Sequence, residues 1–192
     1  FLIHKNTMGI AYKNFWSLNT DEAVVSGILR GNTNKDIEVL MPMNAQMKGV
    51  DLVLMNVKNK KSITIQVKGS RAYEPKPREV KKYGAGSGGW FFFPEKVVSK
   101  ATADYFAFLI YILEDNNKKG RRIIEPHVIL IPTMDLQEKS KKYKSTHGDG
   151  RYSYKIWINP ETKEAFDFRD QRIDLSKYLD KEGFSLLNKI LV

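Results

Sequence analysis

The strongest constraint on the fold comes from two apolar runs with strand character, residues 50–57 and 62–68, joined by the polar turn at 58–61. Val, Ile, Leu and Thr make up most of both runs, and β-branched residues favour the extended backbone of a pleated, half-buried surface. Two such runs separated by a short polar segment predict an antiparallel β-hairpin. The sequence therefore predicts a β-sheet. The polar residues within these runs are candidates for a functional role, because such strands are usually buried.

Other elements are predicted from periodicity and from turn residues. Asn19 or Thr20 can cap a helix that Gly31 ends, and apolar residues repeat along it at helical spacing. Residues 69–89 are rich in Gly, Pro and charge and are predicted to form one long loop, and residues 114–122 a polar turn. Further strands are predicted at residues 37–41, 90–93, 104–113, 127–131, 152–158 and 165–168, and further helices at 133–143 and 174–191. This order predicts an α/β fold.

Length and charge indicate one domain with a basic surface. The chain has 192 residues, 42% of them hydrophobic, which suits a single domain spanning residues 1–192. Residues 52–151 hold 20 Lys or Arg against 10 Asp or Glu, and the remainder is balanced, so this region carries the whole net charge of +10. A concentrated basic region favours polyanions and makes nucleic acid the leading partner. A solvated basic surface without a partner is the alternative.

Several classes of protein are disfavoured. The chain has no Cys, so it has neither disulfides nor a thiolate zinc site, which fits a reducing compartment. No apolar run reaches the roughly 18 residues needed to span a bilayer. Residues 1–5 lack the charged-then-apolar order of a secretory signal. We expect a cytoplasmic protein with no membrane partner.

The polar exceptions on the hairpin form a candidate site. Side chains alternate along a strand, so Gln66 and Lys68 share one face while Val67 points to the other. Asp51 lies at the open end of the hairpin, where it can meet both of them. Carboxylate, amide and carbonyl oxygens suit Mg²⁺, which assists phosphodiester hydrolysis. Lys68 could deprotonate the attacking water or act as a fixed positive charge, and the sequence leaves both roles open.

Two segments resemble a known nuclease motif. Gly49-Val50-Asp51 and Ile63-Thr64-Ile65-Gln66-Val67-Lys68-Gly69-Ser70 are similar to the Asp and (Glu/Gln)-x-Lys signature of the PD-(D/E)XK nuclease superfamily. The Gln form is similar to its Mrr-like and Holliday-junction-resolvase-like members. The resemblance covers residues 19–70, including a preceding helix in which Glu22 matches a ligand position, with Asp21 as its neighbouring alternative. This sequence departs from the common pattern with Val at position 50 instead of Pro and Gln at position 66 instead of Glu.

The resemblance implies a fold and an activity. The fold is restriction-endonuclease-like, with a central mixed β-sheet flanked by α-helices. The activity is Mg²⁺-dependent or Mn²⁺-dependent endonucleolytic cleavage of DNA in restriction or repair, carried out by a monomer or a homodimer. The implied metal ligands are Asp51, Gln66, the carbonyl of Val67, and Glu22, with Lys68 as the catalytic cation. Basic residues that follow the motif are predicted to bind DNA, namely Arg71, Lys76, Arg78, Lys81 and Lys82.

Two alternatives to a DNA endonuclease stay open. Gln66 removes one negative charge from the metal site, so a catalytically inactive nucleic-acid-binding or assembly protein on the same fold is the first alternative. A nuclease acting on RNA or on branched junctions is the second, because the same chemistry would serve it equally well.

Two further patterns in the sequence are formal matches to binding features. Residues 84–89 formally match G-x-G-x-x-G but run into a strand instead of opening a helix, so a dinucleotide site is rejected and a flexible segment is expected. Tyr152, Tyr154 and Trp157 could stack on bases, although aromatic residues at strand spacing are more often core or sheet surface.

Overall fold

The computed structural model describes residues 20–42, 49–116, 121–142 and 150–192. Five helices and nine strands lie within these ranges, together with a short 3-10 helix at Ser176–Tyr178. In chain order they are α1 (Thr20–Asn32), β1 (Ile37–Leu40), β2 (Leu52–Asn56), β3 (Ser62–Gly69), α2 (Pro77–Tyr83), β4 (Ser87–Pro94), α3 (Glu95–Ser99), β5 (Tyr105–Asn116), β6 (Arg121–Pro132), α4 (Thr133–Ser140), β7 (Arg151–Asn159), β8 (Glu164–Asp167), β9 (Ile173–Asp174) and α5 (Asp180–Leu191).

The predicted hairpin lies in the middle of a five-stranded mixed sheet with the order β1-β2-β3-β5-β6. β2 and β3 pair antiparallel with Leu52 opposite Ile65, and β3 pairs parallel with β5. β5 and β6 form a long antiparallel hairpin. β3 is therefore the central strand, and its residues are positioned by neighbours on both sides.

Two hydrophobic layers cover this sheet. On one face, Val25 and Leu29 of α1 and Leu187 of α5 pack over Leu52 and Ile65. The other face packs against a second, four-stranded sheet with the order β4-β7-β8-β9, and against α3 and α4. The molecule is thus a mixed α/β protein with a mixed sheet flanked by helices. Within the described ranges, no helix is long and apolar enough to cross a membrane.

Most predicted elements are present, and their boundaries differ where the chain is polar. The first helix and the hairpin lie where they were predicted, but the loop predicted at residues 69–89 is wrong because it contains α2 and the start of β4. α2 begins with Pro at its first position and with a Glu79 carboxylate that accepts the Lys76 backbone N–H at 2.8 Å. β5 continues to Asn116 and β6 begins at Arg121, so both enter the turn predicted at 114–122, and the last helix begins only at Asp180.

The glycine-rich segment is structured, contrary to the prediction of flexibility. Gly86 has φ 119°, and a Cβ there would lie 1.9 Å from the Ile158 carbonyl oxygen. A Cβ on Gly89 would lie 2.7 Å from the Ile110 side chain. These glycines allow β4 to run tightly against β7 and β5, which a larger residue would prevent.

Candidate active site

Two of the polar residues of β3, Gln66 and Lys68, point away from α1. Ile65 and Val67 belong to the core under α1, so the intervening Gln66 and the following Lys68 point to the opposite face of the sheet. Gln66 is only 8% exposed, and Lys68 is half-buried. A buried amide and a half-buried ammonium on a central strand are unusual and indicate a site.

Asp51 is held across the open end of the β2–β3 hairpin. Its backbone N–H donates to the Ile65 carbonyl at 2.9 Å, and its Oδ2 accepts the Val67 N–H at 2.8 Å. The carboxylate therefore lies beside the backbone that joins Gln66 to Lys68. The preceding Gly49 has φ 84°, and a Cβ there would lie 3.8 Å from the Gln66 Nε2. The structure thus brings Asp51, Gln66 and Lys68 together.

The first turn of α1 brings a second carboxylate to this group. Glu22 is 5% exposed, and its charge acts on Lys68. Asp21 has a different position, because its carboxylate lies against Gly69 and accepts a hydrogen bond from the Tyr111 hydroxyl. Burial is the largest cause that raises the pKa of Tyr111, and the Asp21 charge and this hydrogen bond raise it further. Of the two acidic neighbours, Glu22 approaches the site and Asp21 attaches the helix to the sheet.

Lys68 is subject to opposing effects. Burial lowers the pKa of its ammonium group below 10.5, because a charged group loses hydration away from water. The carboxylates of Asp51 and Glu22 raise the pKa and partly offset the effect of burial. Lys68 is therefore a cation placed next to two anions in a partly dehydrated site.

The donors around Lys68 suit a hard cation. Glu22 and Asp51 offer carboxylate oxygens and Gln66 offers an amide oxygen, the ligand types that Mg²⁺ takes from proteins. In the described part of the chain, no group of three His, Cys, Asp or Glu side chains is arranged to hold a metal ion. An Mg²⁺ ion here would thus have two carboxylates, the amide and water as ligands. These ligand types suit Mg²⁺, although the site carries one negative charge fewer than a site with three carboxylates.

The basic residues predicted to bind DNA lie on the surface close in sequence to β3. Arg71 follows β3, Lys76 precedes α2, and three more lie on α2, namely Arg78, Lys81 and Lys82. All five are exposed, so their charges are accessible to phosphates. Their role in binding DNA stays a prediction. Parts of the basic region at residues 117–120 and 143–149 lie outside the described residues.

Stacking by the β7 aromatics is not supported. Tyr154 and Trp157 are 2% and 1% exposed and belong to the interior, and the Tyr152 hydroxyl donates to Glu95 at 3.3 Å.

Sequence reasoning missed a different pair, Trp90 and Phe92, which are exposed on β4. Their alternation with buried residues was hidden because residues 90–93 are all aromatic.

Comparison with known proteins gives no match. No family model, no curated protein and no solved structure matches this chain. The likeness to the PD-(D/E)XK superfamily therefore rests on the motif residues and on the site they form.

Proposed function

We propose that this chain is a metal-dependent nuclease of the PD-(D/E)XK type that hydrolyses phosphodiester bonds of DNA with Mg²⁺ or Mn²⁺. The observation that carries the proposal is the Asp51 carboxylate bonded to the Val67 N–H, between Gln66 and Lys68 on the central strand. Buried Glu22 supports it by adding a second carboxylate from the preceding helix. A restriction-endonuclease-like fold is part of the proposal, because the central strand of a mixed sheet carries the motif and a helix precedes it.

The roles of the residues follow from their charge. Glu22, Asp51 and Gln66 supply oxygens that hold the cation. When bound, the cation lowers the pKa of the attacking water and neutralises charge on the phosphate. The Asp51 and Glu22 carboxylates favour the charged form of Lys68, and as a cation it would stabilise the negative charge that develops at phosphorus. We assign it the electrostatic role and not that of a general base.

The exposed basic residues around α2 would bind the DNA backbone, because Lys and Arg contacts to phosphate supply most of the sequence-independent affinity. Restriction or DNA repair in the cytoplasm is the proposed setting. Two copies of the chain would be needed to cut both strands at once, which makes a homodimer part of the proposal.

Cleavage tests the function directly. Supercoiled plasmid, linear duplex, single-stranded and branched DNA would be incubated with the protein and Mg²⁺ or Mn²⁺, with EDTA as the blank. Asp51→Ala and Lys68→Ala should each reduce cleavage by about 100-fold or more. Lys61→Ala is the matched control, because it removes an exposed positive charge at the other end of the same hairpin. Cleavage that needs no metal, or that both active-site substitutions leave unchanged, would overturn this proposal.

A nucleic-acid-binding protein without catalysis is the second candidate. It is favoured by Gln66, which leaves the site with two carboxylates and, in the described residues, without a third acidic or His ligand. This candidate predicts DNA binding that metal does not affect and no cleavage by the native chain. The same panel, read first for binding and then for products, separates the two functions.

A further inference from the structure

A groove opens directly beside the candidate catalytic lysine. It measures about 590 Å³, and its walls are the segment from Lys68 to Tyr73 and the strand from Trp90 to Phe93. We call it the aromatic groove. Because Lys68 lies on its wall, a molecule bound in the aromatic groove would reach the proposed active site.

Two large rings on one side of β4 are exposed to solvent. Trp90 and Phe92 are 42% and 59% exposed, whereas Phe91 and Phe93 are 3% and 8% exposed and pack between the sheets. Residues two apart on a strand share a face, so Trp90 and Phe92 lie side by side on the outside. Together they form an exposed apolar patch, and contiguous patches of this kind mark binding sites on folded proteins.

Trp90 is held in place by the structure around it. The Trp90 backbone N–H donates to the Ser70 hydroxyl at 3.0 Å, which ties β4 to the end of β3. The Tyr73 ring lies 5.5 Å from the Trp90 ring at 33°. The hydroxyl of Ser87 donates to the Tyr73 backbone carbonyl, so the backbone that carries the Tyr73 ring is also attached to β4. Trp90 is thus positioned before any ligand binds, which lowers the entropic cost of binding.

Positive charge surrounds these rings. Lys68 and Arg71 line the aromatic groove. Lys155 lies on the neighbouring strand β7, and its Nζ is 5.4 Å from the centre of the Trp90 ring. Another cleft of similar size, about 600 Å³, is acidic, because among the described residues Glu95, Asp135 and Glu138 line it against a single cation, Lys141, and it would disfavour phosphate. Aromatic rings combined with cations are the arrangement that binds unpaired nucleotides, because each base can stack on a ring while its phosphate meets a cation.

We propose that the aromatic groove binds single-stranded DNA, with unpaired bases stacked on Trp90 and Phe92 and the backbone passing Arg71 toward Lys68. This inference rests on the proposed function, because it names the form of DNA that the site receives. In a duplex the bases are stacked on one another and their faces cannot reach a protein ring, so the groove selects unpaired strands, frayed ends or flipped nucleotides.

Binding to labelled oligothymidylate in EDTA tests the inference without cleavage. Fluorescence anisotropy should show tighter binding to this strand than to a blunt duplex of the same length. Trp90→Ala and Phe92→Ala should each weaken binding by between about 5-fold and 100-fold, from the stacking energy of a base on a ring. Trp90→Phe keeps a stacking surface and should restore most of the affinity. Met134→Ala is the matched control, because Met134 is 80% exposed and lines the acidic cleft.

The outcomes separate the two proposals. Equal binding by the native chain and the Trp90→Ala, Phe92→Ala double variant would overturn the groove, as would tighter binding to duplex or to oligouridylate. Ring-dependent binding supports it. Cleavage with Mg²⁺ is then measured separately: cleavage with ring-independent binding overturns the groove alone, and ring-dependent binding without cleavage supports the groove and overturns the nuclease. Thermal melts of each variant check that it is folded.

Discussion

Gln66 determines the charge of the candidate site. A Glu at this position would put a third carboxylate beside Asp51 and Glu22, and the position is only 8% exposed. Like charges that are close together and away from water raise one another's pKa and destabilise the fold unless a cation is present. The amide therefore lets the site fold without metal at a lower cost in repulsion, and it lowers the affinity for metal.

Gln66→Glu should reverse this balance. In EDTA we expect the free energy of unfolding to fall by roughly 1–3 kcal/mol, because a third negative charge is buried beside Asp51 and Glu22. With Mg²⁺ or Mn²⁺ we expect a larger rise in Tm than in the native chain, since metal that binds only the folded state stabilises it. Thermal melts across a metal titration measure both effects, with the exposed Gln171→Glu as control. An identical metal-induced rise in Tm in Gln66→Glu and the native chain would argue against a metal site.

The pH dependence of cleavage distinguishes the two roles of Lys68. Burial lowers the pKa of Lys68 from 10.5. If Lys68 acts as a cation, its positive charge is lost as pH rises through this lowered pKa, and the cleavage rate falls. Lys68→Arg stays charged, so it should keep part of the activity and lose this alkaline decline. Lys68→Ala should cost about 100- to 1000-fold at every pH. A native rate that rises with pH, together with Lys68→Arg as inactive as Lys68→Ala, would assign Lys68 as a base. Profiles of kcat/KM against pH for the three proteins give the answer.

At the scale of elements, the site depends on how α1 attaches to the sheet. The Asp21 carboxylate lies against Gly69 at the end of β3 and accepts a hydrogen bond from Tyr111 of β5. This contact fixes the first turn of the helix above two strands. Glu22 follows directly in the chain, so its position relative to Lys68 depends on the same contact.

Gly69→Ala tests this attachment. Its Cβ would lie 1.9 Å from the Asp21 Oδ2, so Asp21 must move and lose its bond to Tyr111. We expect a loss of about 1 kcal/mol in the free energy of unfolding and a lower cleavage rate through displacement of Glu22. Gly27→Ala in α1, the helix that carries Asp21, is the control. Nothing lies within 4 Å of a Cβ at position 27, so this change should stabilise the protein by about 0.5–1 kcal/mol. Urea denaturation and cleavage rates would be compared, and native values for Gly69→Ala in both would contradict the role of this contact.

The sequence predicted elements well where the signal is local. α1 and the β2–β3 hairpin follow from periodicity and a polar turn, and Asp51 could be placed near Lys68 because a hairpin brings its open ends together. α2 was missed because Pro, Gly and charge dominate its surroundings, although Pro77 and Glu79 do carry a helix-start pattern. The role of Asp21 depends on Tyr111, which is 90 residues away in the chain, and no local pattern reports such a contact.

At the scale of the whole molecule, packing of one sheet on the other creates the aromatic groove. The rings of Phe91 and Phe93 on β4 lie 4.9 Å and 6.4 Å from the ring of Phe108 on β5, and Tyr154 of β7 completes the layer. The sequence predicted the strands but not their division into two sheets, because strand character does not specify a partner. Turning these rings inward leaves Trp90 and Phe92 outside, beside the end of β3.

Phe108→Ala and Phe92→Ala form a matched pair that tests this division. Phe108 is 1% exposed and contacts rings of both sheets, so its truncation should lower the free energy of unfolding by about 3–5 kcal/mol through lost contacts and a cavity. Phe92 is 59% exposed, so the same change there should stay within about 0.5 kcal/mol. Urea denaturation of both variants measures the difference. If Phe92→Ala cost as much as Phe108→Ala, Phe92 would have to be covered in the folded chain, and it could not then stack on a base. A large cost at Phe108 alone would mean that the two faces of β4 have different roles. The inner face packs against Phe108 and joins the two sheets, and the outer face stays exposed and can bind single-stranded DNA.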